Sequence, residues 1–162
     1  MTILRPGQFA SNVLDWKQMV AAGTVAAPFG DVAIPVIDPL DVAEVALLAL
    51  TDDHHRGKVY ELSGSELLSS RQQVELLGEA VGRSLTFEDQ DAAAFREANP
   101  WLPQQWVDYV LAVKGSPTAE EKRVRPTFET LTGRPARTFK DWVARNPSMT
   151  ERAEGAGGTL EE

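Results

Sequence analysis

The chain contains no cysteine. Disulfides and thiolate-bound metal centres are therefore excluded, and the composition fits a reducing cytosol. Basic residues are also short. Sixteen Lys and Arg stand against twenty-four Asp and Glu, a formal net charge of −8. A surface of that sign repels nucleic acid and anionic membrane, so neither is an expected partner. No apolar stretch is long enough to span a bilayer. No basic, apolar and small-residue sequence of a secretory signal opens the chain. Cytoplasmic localisation is the resulting expectation. The motifs of nucleophilic and phosphate chemistry are absent too: there is no Gly-x-Ser-x-Gly elbow, no Gly-x-Gly-x-x-Gly, no Walker segment and no Tyr-x-x-x-Lys pair. The pattern Gly155-Ala156-Gly157-Gly158 has no strand before it.

The 162 residues that are present fit one domain with a real core. Thr2 to Leu4 has the β-branched and apolar character of a strand, and Pro6-Gly7 is read as the turn that stops it. Ser11 to Ala22 places Val13, Trp16, Met19 and Val20 on one helical face. Thr24 to Pro28 is a short extended piece. Ala33 to Ile37 is a strand candidate whose Pro35 points to an edge or a bulge. Asp38 or Asp41 caps a helix reaching about Thr51, apolar on most sides and so expected between layers. Lys58 to Leu62 is a further strand. Ser69, with Gln72 three residues on, forms a capping box for a helix that buries Val74, Leu77 and Val81 and ends at Gly82. Leu85 to Glu88 is a last strand, and this alternation of strand and helix argues for an α/β class. Beyond Asp91 the pattern is helical, with Trp106, Tyr109, Val110 and Val113 at helical spacing and Pro126 to Leu131 forming a short turn or two. Phe139, Trp142 and Val143 face a core from a final short helix. Residues 1–147 are read as the folded part and 148–162 as a disordered acidic tail.

Each candidate for chemistry has a plainer competitor. His54 and His55 are adjacent in a polar loop without a third ligand, so cations at a helix C-terminus are expected and no metal site is assigned. Glu88, Asp89 and Asp91 could supply paired carboxylates, but neighbours at a strand end are ordinarily a solvated rim. Trp16, Trp101 and Trp106, with Phe95 and Tyr109, form either a core or an aromatic pocket. Pro100-Trp101-Leu102-Pro103 is the best candidate for a mobile lid. No catalytic residue is assigned. The strand at Thr2–Leu4 is apolar with no visible neighbour before it, so its edge predicts a homodimer.

Four segments carry a resemblance. Leu4-Arg5-Pro6-Gly7-x-Phe9-x-x-Asn12, Asp38-x-x-Asp41-Val42-Ala43, Tyr60-Glu61-Leu62-Ser63-Gly64 and Thr132-Gly133-Arg134-Pro135-x-Arg137-Thr138-Phe139 occur in the order found in NmrA-like, atypical short-chain dehydrogenase/reductase proteins. Each segment alone is weakly specific; the four in order resemble the C-terminal part of that family from residue 2 to about 146. The resemblance implies the end of a Rossmann-like doubly wound sheet plus a smaller, mostly helical substrate lobe. It implies NAD(P) as cofactor of the full-length family, and a small-molecule substrate. It places Pro6, Gly7, Gln8 and Phe9 at the cofactor wall, and Asn12, Trp16, Trp101 and Trp106 on the substrate side. The chain departs from the family in lacking the glycine fingerprint and the Tyr–Lys pair. By itself it is therefore expected to hold no cofactor tightly and to catalyse no dehydrogenation. The alternative is a small ligand-binding or dimerising protein without catalysis.

Overall fold

A computed structural model describes residues 1–149. The chain opens with β1 (Ile3–Pro6) and, after Gly7 alone, β2 (Gln8–Phe9). β1 pairs in parallel with β5 (Val59–Leu62), Ile3 opposite Val59 and Pro6 opposite Leu62. β2 pairs instead with β4 (Ile34–Ile37), Gln8 opposite Val36. Pro6-Gly7 is thus a change of partner within an extended run, not the turn expected from the sequence. The Gly7 N–H still donates to the Leu62 carbonyl at 2.9 Å, which carries the β5 ladder through the switch.

β4 is the middle strand of β2-β4-β6, antiparallel to β6 (Leu67–Leu68), and all four of its residues are buried. Pro35 therefore does not mark an edge. Pairing with β2 starts only at Val36, so the missing proline N–H removes no rung there. β3 (Thr24–Pro28) pairs in parallel with β7 (Thr86–Gln90), one residue later than the strand start read from the sequence.

Helices fill the spaces between these ladders. Seven residues of 3-10 helix, Ala10–Trp16, lead into α1 (Lys17–Ala22), which ends at Gly23 in the left-handed region (φ 96°). α3 (Ser70–Val81) has the complete capping box at Ser69 and Gln72. α4 (Ala92–Ala98), α5 (Gln104–Gly115), α6 (Thr127–Thr132) and α7 (Phe139–Arg145) follow. The main core joins Val13, Trp16, Val20, Val25, Leu77 and Trp142. A second cluster of Ile37, Val45, Leu62 and Phe128 lies under β1, with Leu4, Phe9 and Tyr60 packed against it. Pro147–Met149 form a 3-10 turn that seats Met149 in the main core. The rest of the tail expected from the sequence, residues 150–162, lies outside the described residues.

Three helical expectations change. α2 (Pro39–Thr51) is not sandwiched between layers: Leu40, Leu47 and Leu50 are exposed, and Asp41 and Val45 are its buried positions. Asp38 alone caps it, accepting from the Leu40 N–H at 2.9 Å with Pro39 at the first helical position. Asp41, expected as a possible cap, lies inside the first turn and is fully buried. α5 buries Val107 and Leu111 and turns Trp106 and Tyr109 outward, so these two aromatics are not core.

Candidate functional site

Gly7 is the only residue between β1 and β2, and it is exposed. Its φ is not positive, and a Cβ placed there would meet only the Leu62 carbonyl at an ordinary 3.6 Å. Folding of these residues therefore does not require glycine at position 7. Gly64 is the contrast, since a Cβ there would lie 1.8 Å from the Val36 carbonyl oxygen. Pro6 and Gln8 flank Gly7 half-buried, while Phe9 packs against the second cluster. The segment thus presents a strip of backbone around position 7, at the point where one strand leaves β5 and joins β4.

Directly after it, the 3-10 helix carries Asn12 exposed and Trp16 buried in the main core. Trp106 lies on the outer face of α5, edge-on to Tyr109 at 6.0 Å between ring centroids. Trp101 is 72% exposed. The four aromatic and amide candidates are therefore of two kinds: Trp16 is a core residue, whereas Asn12, Trp101 and Trp106 are open to solvent.

Lys114, at the end of α5, was not singled out by sequence reasoning. Its ammonium lies 5.7 Å from the centre of the Trp16 ring. Burial pushes its pKa below the ordinary lysine value, with the charge of Asp15 opposing the shift. One residue on, Gly115 is overlain by Phe29: a Cβ at 115 would stand 2.7 Å from Phe29 Cζ. Phe29 itself has φ 56°, a conformation that bulky residues adopt only when their surroundings impose it. The imposing contacts are explicit. Gly30 N–H donates to Asp89 at 2.8 Å, Arg71 N–H donates to the Gly30 carbonyl at 3.0 Å, and Arg71 bridges Asp31 and Asp89 at 2.7 Å each.

Those contacts also settle the roles of the acidic residues. Asp89 holds the Phe29 turn, and Asp91 caps α4 by accepting from the Ala94 N–H at 2.8 Å. Asp38 and Asp41 hold the C-terminal segment. Asp38 pairs with Arg145, and Asp41 accepts the Arg137 backbone N–H at 2.8 Å and its guanidinium, with Glu44 between Arg134 and Arg137. His54 pairs with Asp52 and His55 with the Tyr60 hydroxyl, both at 2.7 Å. No group of His, Asp and Glu among the described residues could hold a metal. An open cleft of about 400 Å³ lies between β5 and the segment before α6, lined by Val59, Glu61, Arg123 and Arg125, among others. Arg125 is occupied there, bonded to Glu61 at 2.8 Å and Glu120 at 2.6 Å.

No protein-family model matches the chain. It is 38% identical over 148 residues to a (4-alkanoyl-5-oxo-2,5-dihydrofuran-3-yl)methyl phosphate reductase of Streptomyces griseus, covering 90% of this chain and 52% of that protein. An Escherichia coli NADPH-dependent quinone oxidoreductase, solved with NADPH, superposes with a TM-score of 0.73 at 25% identity, over 87% of this chain and 51% of that one. The negative transcriptional regulator NmrA, solved with NAD, superposes with a TM-score of 0.58 at 17% identity, over 93% of this chain and 52% of its own. The chain spans about half the length of the relatives it matches. No helix among the described residues is long and apolar enough to cross a membrane.

Proposed function

We propose that the chain corresponds to the C-terminal part of an NmrA-like, NAD(P)-binding protein and supplies the substrate side of an NAD(P)H-dependent reductase. The observation that carries this reading is Gly7. It is an exposed glycine with neither a positive φ nor a crowded Cβ, so its bareness serves something outside the described residues. On this reading the backbone of Pro6 to Phe9 forms the wall against which the nicotinamide of NAD(P)H rests. Asn12, with Trp101 and Trp106 as a closing flap, borders the substrate, and Trp16 backs it. The cofactor would supply the hydride; these residues orient the substrate and exclude water. The chain has neither a pyrophosphate-binding glycine loop nor a Tyr–Lys proton donor, so alone it binds NAD(P)H weakly and turns nothing over. The Streptomyces griseus relative is named for a phosphorylated lactone, which makes a small phosphorylated carbonyl or enone compound the first substrate to try.

A chimera tests the reading. This chain replaces the matching half of the Streptomyces griseus relative, and NADPH oxidation is followed by absorbance. Turnover is expected, and Gly7→Val should abolish it while leaving the unfolding midpoint in place. Tight stoichiometric NADPH binding by this chain alone would contradict the proposed division of labour.

A second reading rests on a separate observation. Among the described residues β1 has β5 as its sole strand partner, and Ile3, Arg5, Val59 and Glu61 lie exposed on one side of that pair. Parallel strands are ordinarily covered on both faces. A homodimer that pairs at the free β1 edge and packs across this side would cover them. A sedimentation profile of pure monomer at high concentration would remove that reading.

A further inference from the structure

Val107 and Leu111 form the buried stripe of α5, and the position that continues it, three residues on, is Lys114. A lysine has been placed where the helix otherwise buries an aliphatic side chain. Its ammonium lies over Trp16, which is itself core. It makes no hydrogen bond or ion pair with any other described residue. Asp15 acts on it only through the field. An aromatic face is a weaker partner than an anion for a cation withdrawn from water. Beside it, the Phe29 ring is held down on Gly115 by a backbone conformation that three hydrogen-bonded neighbours impose. Strain of this kind persists where surrounding contacts over-determine it, and here it fixes an apolar ring on Gly115, the residue that follows Lys114.

We propose that Lys114 and Trp16, with Phe29 over the adjacent Gly115, form a subsite for a ligand that carries an oxyanion, a phosphate monoester or a carboxylate, on a small ring. Lys114 neutralises the oxyanion as a point charge, and the Trp16 and Phe29 rings take the apolar part. The inference rests on the reading of this chain as the substrate side of a reductase. It narrows the substrate to an anionic one, anchored by its charged end along the 3-10 helix from the Pro6–Phe9 wall.

The test uses the chain alone, without cofactor, so its result is independent of whether hydride transfer is ever observed. Benzyl phosphate, phenylacetate and benzyl alcohol are titrated while the Trp16 indole N–H resonance, assigned through Trp16→Phe, is followed by NMR. Both anions should shift that resonance saturably, and the neutral alcohol should bind at least about tenfold more weakly. The tighter of the two anions identifies the oxyanion as phosphate or carboxylate. Lys114→Met should lose about tenfold or more in anion affinity, and Lys114→Arg should retain most of it. Thermal unfolding of both variants verifies that they are folded. Equal binding of benzyl alcohol and benzyl phosphate, or undiminished anion binding by folded Lys114→Met, would overturn the proposal.

Discussion

Substitution at Arg137 should cost the protein more than substitution at its partner Asp41, although Asp41 is the fully buried member. Asp41 accepts two donors from Arg137, the backbone N–H at 2.8 Å and the guanidinium, and Arg134 approaches it only to 3.7 Å. In Arg137→Met the carboxylate keeps the backbone bond but loses the guanidinium bonded to it, in a place that water does not reach, and only Arg134 at 3.7 Å is left as counter-charge. Removing one partner of a buried pair costs about 3–5 kcal/mol, and the sealed position of Asp41 argues for the upper half, about 4 kcal/mol. In Asp41→Ala the stranded group is the guanidinium, which is 27% exposed and still has Glu44 at 3.3 Å. That loss belongs at the lower end, about 3 kcal/mol, part of it from the orphaned Arg137 N–H. At roughly 2–4 °C per kcal/mol for a chain of this size, the melting point falls by about 8–16 °C in the first case and about 6–12 °C in the second. Urea titrations of both single variants and the double variant, followed by circular dichroism, measure the terms directly. The double variant should be clearly more stable than the sum of the singles predicts, by about 2 kcal/mol, because neither charge is then stranded. Additive losses, or an Arg137→Met within about 1 kcal/mol of the parent, would refute the argument that a sealed counter-charge dominates.

Lys114→Met should raise stability, since it removes a charge held below its ordinary pKa by burial. The sign with pH follows. Between the lowered folded value and the ordinary 10.5 the unfolded chain binds more protons, so stability climbs as pH rises through that interval. Denaturant midpoints measured across alkaline pH should show this climb in the parent and a flatter curve in Lys114→Met. Gly115→Ala should destabilise by about 1–3 kcal/mol by thermal melting, because its Cβ would press into the Phe29 ring at 2.7 Å and that ring cannot retreat. Ser69→Ala removes the acceptor for the Gln72 N–H at the start of α3 and should cost about 1 kcal/mol in a urea titration. Asp141 is held below its ordinary pKa by the Thr138 hydroxyl and then the Thr138 N–H, so its cap on α7 persists above the ordinary carboxylate value and is lost as pH falls through the lowered one. Hydrogen exchange at the α7 amides under acid measures that loss.

Local chemistry was legible in the sequence wherever it sufficed. The Ser69–Gln72 box, the stops at Gly23 and Gly82, and the buried face of α7 all follow from short-range rules and are found in place. What depends on distant partners was not. Pro35 reads as an edge because nothing nearby shows that β2 joins only at Val36. Asp41 reads as a cap because its true partner is ninety-six residues away. The left-handed Phe29 has no signature at all, being imposed by Arg71 and Asp89. For the site, Gly7 was visible as a glycine, but not that its surroundings leave it bare. Lys114 did leave a signal: a lysine one helical turn beyond Leu111, on the stripe that Val107 and Leu111 begin. The outward Trp106 and Tyr109 show the same misplacement of that helix's face by about one residue.

The ladders of this protein also set the order of events when it is made. Among the described residues no strand pairs with its sequence neighbour: Ile3 meets Val59, Gln8 meets Val36, and Thr24 meets Thr86. These strands form no hairpin to nucleate the sheet, so each of their rungs awaits closure of a long loop, the topology of slow folding. Within this chain β1 is made before β5, and at usual rates of synthesis about 3–10 seconds separate the two. For that interval β1 lacks its β5 ladder, and it is then that this segment is exposed to aggregation or to capture by a chaperone.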